Sequence, residues 1–257
     1  MTIATHSSFI YGHTVDETNF YLNFNEGGGE LRAEIAIGSY TLTRFVNEVA
    51  LALNEVGTQE YTVSVDRNTL LITISAVDPF DLLITSGSNS AQSAFALMGF
   101  TGADLTGLNS YTGNLPSGSE YIVQFPLQRF IDFPHKKRTI NTSINKSGTG
   151  VIEVVSYGRV RYMECNIKYI TNIINQGLIR NNPTGVNDYL LFIDYITQKK
   201  PLEFNYDFED KSIYIECLLE STSDSQNGTD YTIKELYSEG LAYYFESGKL
   251  EFSELIE

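Results

Sequence analysis

The side chains best suited to chemistry in this chain are three histidines, two cysteines and two groups of carboxylates. A histidine metal site requires further His or Cys ligands at suitable spacings. His6, His13 and His135 have no such neighbours in the sequence. His6 and His13 could still meet in space, and the competing interpretation is a solvated pair near the amino terminus. We therefore expect no metal.

The carboxylates form two candidate groups, each near a predicted turn. Asp207, Glu209 and Asp210 follow a predicted strand, and Asp78 and Asp81 flank a Pro-Phe turn. Paired carboxylates can do acid–base chemistry or bind Ca²⁺. These segments lack the alternating oxygen donors and the terminal Glu of an EF-hand loop. Solvated turn caps are therefore the favoured interpretation, and a catalytic or Ca²⁺ site is the alternative.

The cysteines have no adjacent histidine that could activate a thiolate. Cys165 and Cys217 both fall on apolar faces of predicted strands, which favours buried thiols over a disulfide. The sequence also contains no Gly-x-Ser-x-Gly elbow, and no Gly-x-Gly-x-x-Gly follows a strand. We expect no catalytic residue, no cofactor and no enzyme.

Composition points to a β-rich, acidic protein. Of 257 residues, 42% are hydrophobic and 19% are charged, with 17 Tyr and 15 Phe. The formal net charge is −15, which disfavours general binding of phosphate backbones. The sequence contains no run of about 20 apolar residues, so no membrane-spanning helix is predicted. The amino terminus lacks the pattern of a signal peptide, so export is not expected.

Two surfaces are candidates for contacts with other proteins. The basic run contains Lys136, Lys137 and Arg138, with Arg129 near it, and is either a solvated loop or a contact with an acidic neighbour. Lys146 belongs to the loop over 145–150, which is predicted to cross between subunits together with the arm over 126–139. Tyr243 and Tyr244 are candidates for a subunit contact, with a sugar-binding platform as the alternative.

The first half predicts a small α+β unit. An alternating strand over 31–37 precedes a helix that begins at Leu42, with Thr41 or Ser39 as N-cap and Gly57 past its end. A hairpin follows over 61–65 and 70–76, with a further strand at 80–84. A weaker helix is predicted over 90–98, and a polar linker over 101–119.

The second half is dominated by predicted strands. Strands at 140–144 and 151–156 flank a projecting loop over 146–150, and one helix runs from Asn187 to about Gln198. The fold class is thus α+β and β-rich. The predicted domains are an arm over 1–30, a small α+β module over 31–113, and a β-sandwich-like domain with one helix over 114–257.

Several segments of the first half resemble a module found in virion proteins of tailed bacteriophages. They are the run Ile37-Gly38-Ser39-Tyr40-Thr41-Leu42 with its helix, the 61–66 and 71–74 hairpin, and the segments 96–100 and 105–107. The element order of the second half is similar to the β-sandwich-plus-helix subunits of phage tail tubes and distal-tail rings.

The resemblance implies a structural protein that forms an oligomeric ring in the tail, neck or baseplate. Its partners would be copies of itself and other virion proteins, and it would be made in the host cytoplasm and reside in the virion. The alternatives are a capsid decoration or connector protein and a carbohydrate-binding tail-tip adhesin. No functional residue is carried over, because such families have interfaces instead of active sites.

Overall fold

The computed structural model describes residues 6–117, 122–126, 135–146, 152–166, 179–180, 194–205, 212, 214–222, 234–239, 242–246 and 249–255. This part of the chain is mostly β-sheet with few helices, which confirms the α+β, β-rich class. In the first half the strands are β1 (His6–Tyr11), β2 (His13–Val15), β3 (Tyr21–Asn25), β4 (Glu30–Glu34), β5 (Gly38–Tyr40), β6 (Tyr61–Val65), β7 (Ile72–Leu82) and β8 (Leu105–Thr112). In the second half they are β9 (Ile122–Pro126), β10 (His135–Lys146), β11 (Ile152–Asn166), β12 (Ile179–Arg180), β13 (Leu202–Asn205), β14 (Tyr214–Thr222), β15 (Lys234–Glu239), β16 (Ala242–Glu246) and β17 (Lys249–Glu254).

Helix α1 (Leu42–Val56) forms where the apolar spacing predicts it. Thr41 is the N-cap, since its hydroxyl accepts a hydrogen bond from the backbone N of Arg44 at 3.2 Å. At the other end, the Gly57 N–H donates to the Leu53 carbonyl at 2.8 Å. One side of the helix is buried, through Leu42, Phe45, Val46, Val49, Ala52 and Leu53.

The buried side of α1 packs against an antiparallel five-stranded sheet. Its order is β4-β3-β7-β6, and β8 also pairs with β7. Aromatic rings fill the space, with Phe24, Tyr61, Phe80 and Tyr111 in successive edge-to-face contacts 5.1–5.4 Å between centroids. Each such ring contributes roughly 1.5–3 kcal/mol by burial, so the helix and sheet form one core.

Part of the predicted linker over 101–119 is strand β8, which pairs with β7. Most side chains of β8 are exposed, and its sequence does not alternate between apolar and polar residues. For this reason the sequence did not predict a strand here. The exception is Tyr111, which is 6% exposed. Its hydroxyl donates to the Phe80 carbonyl at 2.7 Å and accepts from the Leu108 N–H at 2.8 Å, and it thereby ties β8 to β7.

Replacing Tyr111 with Phe should lower the free energy of unfolding by about 1–2 kcal/mol, because a buried carbonyl and an N–H each lose their hydrogen bond to the hydroxyl. Urea titration measures the change. The matched control is Tyr40→Phe, since the Tyr40 hydroxyl donates to Ala36 O at 2.7 Å in an exposed position. Equal effects of the two substitutions would contradict the role assigned to Tyr111.

The predicted helix over 90–98 is wrong. A single 3₁₀ turn over Ser90–Gln92 is followed by irregular chain. The reason is tertiary: Ala94 N donates to Tyr21 O at 2.9 Å, which draws the segment alongside β3, and Phe95 and Met98 fill the core as isolated anchors. Burial of these side chains outweighs a weak helical pattern.

The second sheet has eight antiparallel strands in the order β10-β11-β17-β14-β13-β1-β9-β12. Residues 1–30, predicted as an arm, contribute β1 to this sheet and β3 to the five-stranded sheet. The three domain boundaries stay a prediction. The hairpin predicted around the 146–150 loop is confirmed by the pairing of β10 with β11.

The predicted helix over 187–198 is described only in part. Residues 194–197 are helical, and residues 187–193 lie outside the described residues. Ile196 of this segment is buried, and the Tyr195 ring stacks on Tyr11 of β1 at 4.0 Å between centroids. This helical turn therefore packs on the eight-stranded sheet.

Candidate functional site at the junction of the two sheets

The amino-terminal end of α1 meets the eight-stranded sheet at two carboxylates. Glu203 of β13 and Glu216 of β14 are direct register partners, so their side chains leave the same face of the sheet. Both reach the first turn of α1, where backbone N–H groups have no partner within the helix. Helix and sheet therefore meet through charged groups. We call this set of residues the junction: Thr41, Thr43, Arg44, Arg67, Glu203, Tyr214 and Glu216.

Glu203 is the most buried charge of the junction, with a relative exposure of 0%. Its Oε1 accepts from the backbone N and the hydroxyl of Thr43, both at 2.8 Å. Its Oε2 is paired with the Arg67 guanidinium. Burial raises the pKa of the Glu203 carboxyl, and the positive charge of Arg67 opposes the rise.

Arg67 is held from two further sides. Its Nη1 donates to the Thr43 hydroxyl at 3.1 Å, and its Cζ lies 3.5 Å from the centroid of the Tyr214 ring. A guanidinium stacked on an aromatic face and paired with a carboxylate is fixed in orientation. Arg67 thus links the β6–β7 turn of the small sheet to β13 and β14.

Glu216 makes the second link. Its Oε1 accepts from the Thr41 hydroxyl at 2.6 Å, and its Oε2 accepts from Arg44 Nε at 2.9 Å. Both carboxylates therefore sit at the positive end of the helix dipole. With two carboxylates and two guanidinium groups, the junction is neutral.

All four carboxylate oxygens of the junction are occupied by donors from the small module. Carboxylates whose oxygens are all occupied are poorly suited to exchange protons with a substrate. They are better suited to fix one sheet against the other, and we call this set of contacts the clamp. An open depression of about 340 Å³ adjoins the clamp and is lined by Thr43, Tyr214, Glu216 and Glu254, among others. In the described part of the chain, no group of three or more His, Cys, Asp or Glu side chains is arranged to hold a metal ion.

His13 is buried in the module, so the predicted solvated histidine pair is wrong for this residue. It is 4% exposed, its ring lies 4.2 Å from the Phe45 ring, and its Nε2 lies 3.2 Å from the Ser117 hydroxyl. Burial lowers its pKa from 6.5 to about 4. The short strand β2 pairs with β5 next to α1, and that pairing places His13 inside.

The remaining candidates for chemistry are the two groups of carboxylates and the two cysteines. Asp81 accepts from the Gly107 N–H at 2.9 Å, and the Asp78 N–H donates to Gln59. Both acids lie within β7, which runs unbroken over Ile72–Leu82, so the predicted Pro-Phe turn and the separate strand over 80–84 are wrong. Cys217 is 1% exposed, which confirms its predicted burial. Cys165 belongs to β11. Asp207, Glu209 and Asp210 lie outside the described residues.

The predicted interface residues fall on two separate sheets. Lys136, Lys137, Arg138 and Lys146 all belong to β10, at one edge of the eight-stranded sheet as described. Tyr243 and Tyr244 belong to β16, which pairs with β15 in a two-stranded sheet. Arg129 lies outside the described residues. Their roles in assembly stay predictions.

Sequence reasoning missed the junction. Local patterns do not indicate that Arg67 and Glu203 meet, because 136 residues separate the two partners. One usable signal exists: Glu203 stands between Leu202 and Phe204 in a short apolar strand, where an acid is costly unless it is paired.

Neither a protein-family model nor a curated protein sequence matches the chain. Of the helices in the described part of the chain, none combines the length and apolar character that a membrane crossing requires.

Proposed function

We propose that this chain is a structural protein of a tailed-phage virion that forms an oligomeric ring in the tail, neck or baseplate. Its partners are copies of itself and other virion proteins. One observation carries the proposal: the β10–β11 hairpin extends well beyond the residues of β11 that pair with β17, the next strand of the sheet. The resemblance of the small module to phage virion proteins supports the same function.

The hairpin is a long two-stranded ribbon. β10 has 12 residues and β11 has 15, and they pair from His135–Glu164 to Lys146–Ile152. β17 pairs with β11 only over Tyr162–Asn166. Among the described strands, residues 152–161 therefore pair with β10 alone, over about 30 Å.

Such a ribbon favours contact with another subunit. An isolated two-stranded ribbon is only marginally stable in water, so a second surface along its length would stabilise it. As the edge of the described sheet, β10 also presents backbone donors and acceptors to which a neighbouring strand can bind. A repeated contact of this kind between identical chains can close into a ring.

The junction supports the same function. Ring closure needs each subunit to present its surfaces at a fixed angle. The ion pairs Arg67–Glu203 and Arg44–Glu216 hold α1 and its sheet against β13 and β14. A clamp of this kind makes a rigid building unit.

The test is the size of the purified full-length protein. We expect a closed annulus of fixed copy number by mass photometry and negative-stain imaging. A variant in which an Asn-Gly turn replaces residues 141–158 joins the register partners Ile140 and Arg159, and should leave a folded monomer. A wild-type chain that stays solitary at high concentration would contradict the proposal, and a trimer would favour the capsid decoration protein.

The adhesin alternative depends on Tyr243 and Tyr244. Both are successive residues of β16. Glycan-array binding by the wild-type protein that is lost in Tyr243→Ala or Tyr244→Ala would favour the adhesin over the ring.

A further inference from the structure

The chain leaves the eight-stranded sheet through a single residue, Gly12. β1 ends just before it, and β2 begins at His13 beside β5. A Cβ atom at position 12 would collide with the carbonyl oxygens of Tyr40 and Pro201, so only glycine fits. The Gly12 N–H donates to the Tyr195 hydroxyl at 2.9 Å. This first passage of the chain between the sheets is therefore tightly enclosed.

His13 is connected to the second passage of the chain, which runs from β8 of the five-stranded sheet to β9 of the eight-stranded sheet. Ser117 lies on this passage, and its N–H donates to Leu70 O at 2.7 Å. The Ser117 hydroxyl donates to Leu97 O at 2.7 Å and lies 3.2 Å from His13 Nε2. A serine hydroxyl has only one proton, so His13 Nε2 carries a proton and donates it to Ser117. The neutral imidazole thus ties the two passages together.

Protonation of His13 would add a positive charge at Nδ1, in surroundings that supply no counterion. The described partners of the ring are the Phe45 ring and the Ser117 hydroxyl, both of which are uncharged. The chain segments 94–100 and 113–117 border the site and contain no titratable side chain. A buried cation without an anionic partner is costly, and burial is what lowers the pKa of His13 to about 4.

The strands and turns beside His13 offer it no free carboxylate. β2 and β5 contain no acid, and the titratable group of β5 is Tyr40, a phenol that is neutral below pH 9 or so, about one unit under its usual pKa. Asp16 follows β2, and Asp66 begins the β6–β7 turn. Each of these two carboxylates accepts a backbone N–H of its own turn at 2.8 Å.

The charged residues in the first two turns of α1 and in the β6–β7 turn have other surroundings. Arg44 is paired with Glu216, and Arg67 is paired with Glu203. Glu48 lines an open depression together with Arg44. A protonated His13 would therefore stay uncompensated until its surroundings open to water.

We infer that His13 is a proton-operated lock on the two passages of the chain between the sheets. The neutral imidazole holds β2, β5 and Ser117 together, and its protonation in mild acid opens this region while α1 and the five-stranded sheet stay folded. β2 and β5 form a separate two-stranded sheet of three residue pairs, so they can open without the larger sheets. The inference goes beyond the proposed ring function and does not depend on it.

The experiment is amide hydrogen exchange of the full-length protein at pH 7.5 and pH 5, resolved to single residues by mass spectrometry. The Gly12 and Ser117 N–H groups report on the lock, and the Leu83 N–H, which donates to Asn23 O at 2.9 Å, reports on the five-stranded sheet. Protection of the two lock groups should fall about 30-fold between these pH values. The reason is that the open state binds its proton near pH 6.5 and the closed state only near pH 4.

Low concentrations of urea separate local from global opening. Exchange at Gly12 and Ser117 should depend little on urea, because a local opening exposes little surface. Exchange at Leu83 should be slower by about tenfold or more at both pH values and should accelerate steeply with urea. Equal free energies and equal urea slopes for the three N–H groups would show that only global unfolding exposes His13, and would overturn the inference.

The matched variant is His13→Gln, whose amide can still donate to Ser117 but does not titrate. Protection of the two lock groups in this variant should change less than about threefold between pH 7.5 and pH 5. His6 and His135 are still present in the variant, so a 30-fold loss that persists would assign the pH dependence to them and overturn the inference. Should the variant not fold, the comparison of the three N–H groups in the wild-type protein decides alone.

Discussion

Replacing Arg67 with Met should lower the free energy of unfolding by about 3–5 kcal/mol, the range observed when one partner of a buried ion pair is removed. Glu203 would then be a fully buried carboxylate without its counterion, and the side chain of Arg67 is itself only 17% exposed. Urea unfolding followed by circular dichroism measures the loss. A change below about 1 kcal/mol would show that the junction does not hold the sheets together.

Two further variants separate the ion pair from other effects. Arg32→Met breaks an exposed pair, with about half of each side chain accessible, and should change stability by about 0.5 kcal/mol or less. The double variant Arg67→Met/Glu203→Gln should recover part of the loss, because no unpaired charge is then buried. Recovery would show that the cost arises from the carboxylate and not from lost packing of the arginine.

The pH dependence of the Arg67→Met variant follows from the raised pKa of Glu203. An acid whose pKa is higher in the folded state than in the unfolded state favours the fold at low pH, and this contribution is lost as pH rises through the folded pKa. Removing the arginine raises that pKa further. The deficit relative to wild type should therefore shrink as the pH is lowered.

The second large effect is a loss of stability in acid that depends on His13. The unfolded histidine takes up its proton near pH 6.5, whereas the folded one does so only near pH 4. Between these values the unfolded chain binds more protons, so stability falls as pH falls. The full difference corresponds to about 3 kcal/mol, at 1.36 kcal/mol per pH unit.

His13→Gln should remove this dependence between pH 6.5 and 4.5, because glutamine can still bond to Ser117 but does not titrate. The quantity to compare is the difference in unfolding free energy between wild type and variant at each pH. Asp104→Asn is the control, since hydrogen bonds lower the pKa of Asp104 to about 2 and its effect falls in more acidic solution. Parallel curves for wild type and His13→Gln would show that the folded histidine titrates normally.

Local sequence patterns predicted those helices and hairpins that are specified by residues close together in the chain. The helical spacing from Leu42 to Leu53 and the cap at Thr41 gave α1, and turn residues between β-branched runs gave the β6–β7 hairpin. The β10–β11 hairpin was predicted for the same reason. Strand β8 was missed because its side chains are mostly exposed and only backbone pairing and Tyr111 define it.

By itself, the sequence determined the β-rich class, the excess of acid, and the position of the basic run Lys136–Arg138 in the chain. These properties follow from composition and short-range periodicity. Tertiary structure alone decided that Glu203 meets Arg67 and that His13 is buried. It also decided that the basic run shares a strand pair with Arg159 and Arg161. Each of these depends on strand register or on contacts between distant segments, and local sequence preferences do not encode them.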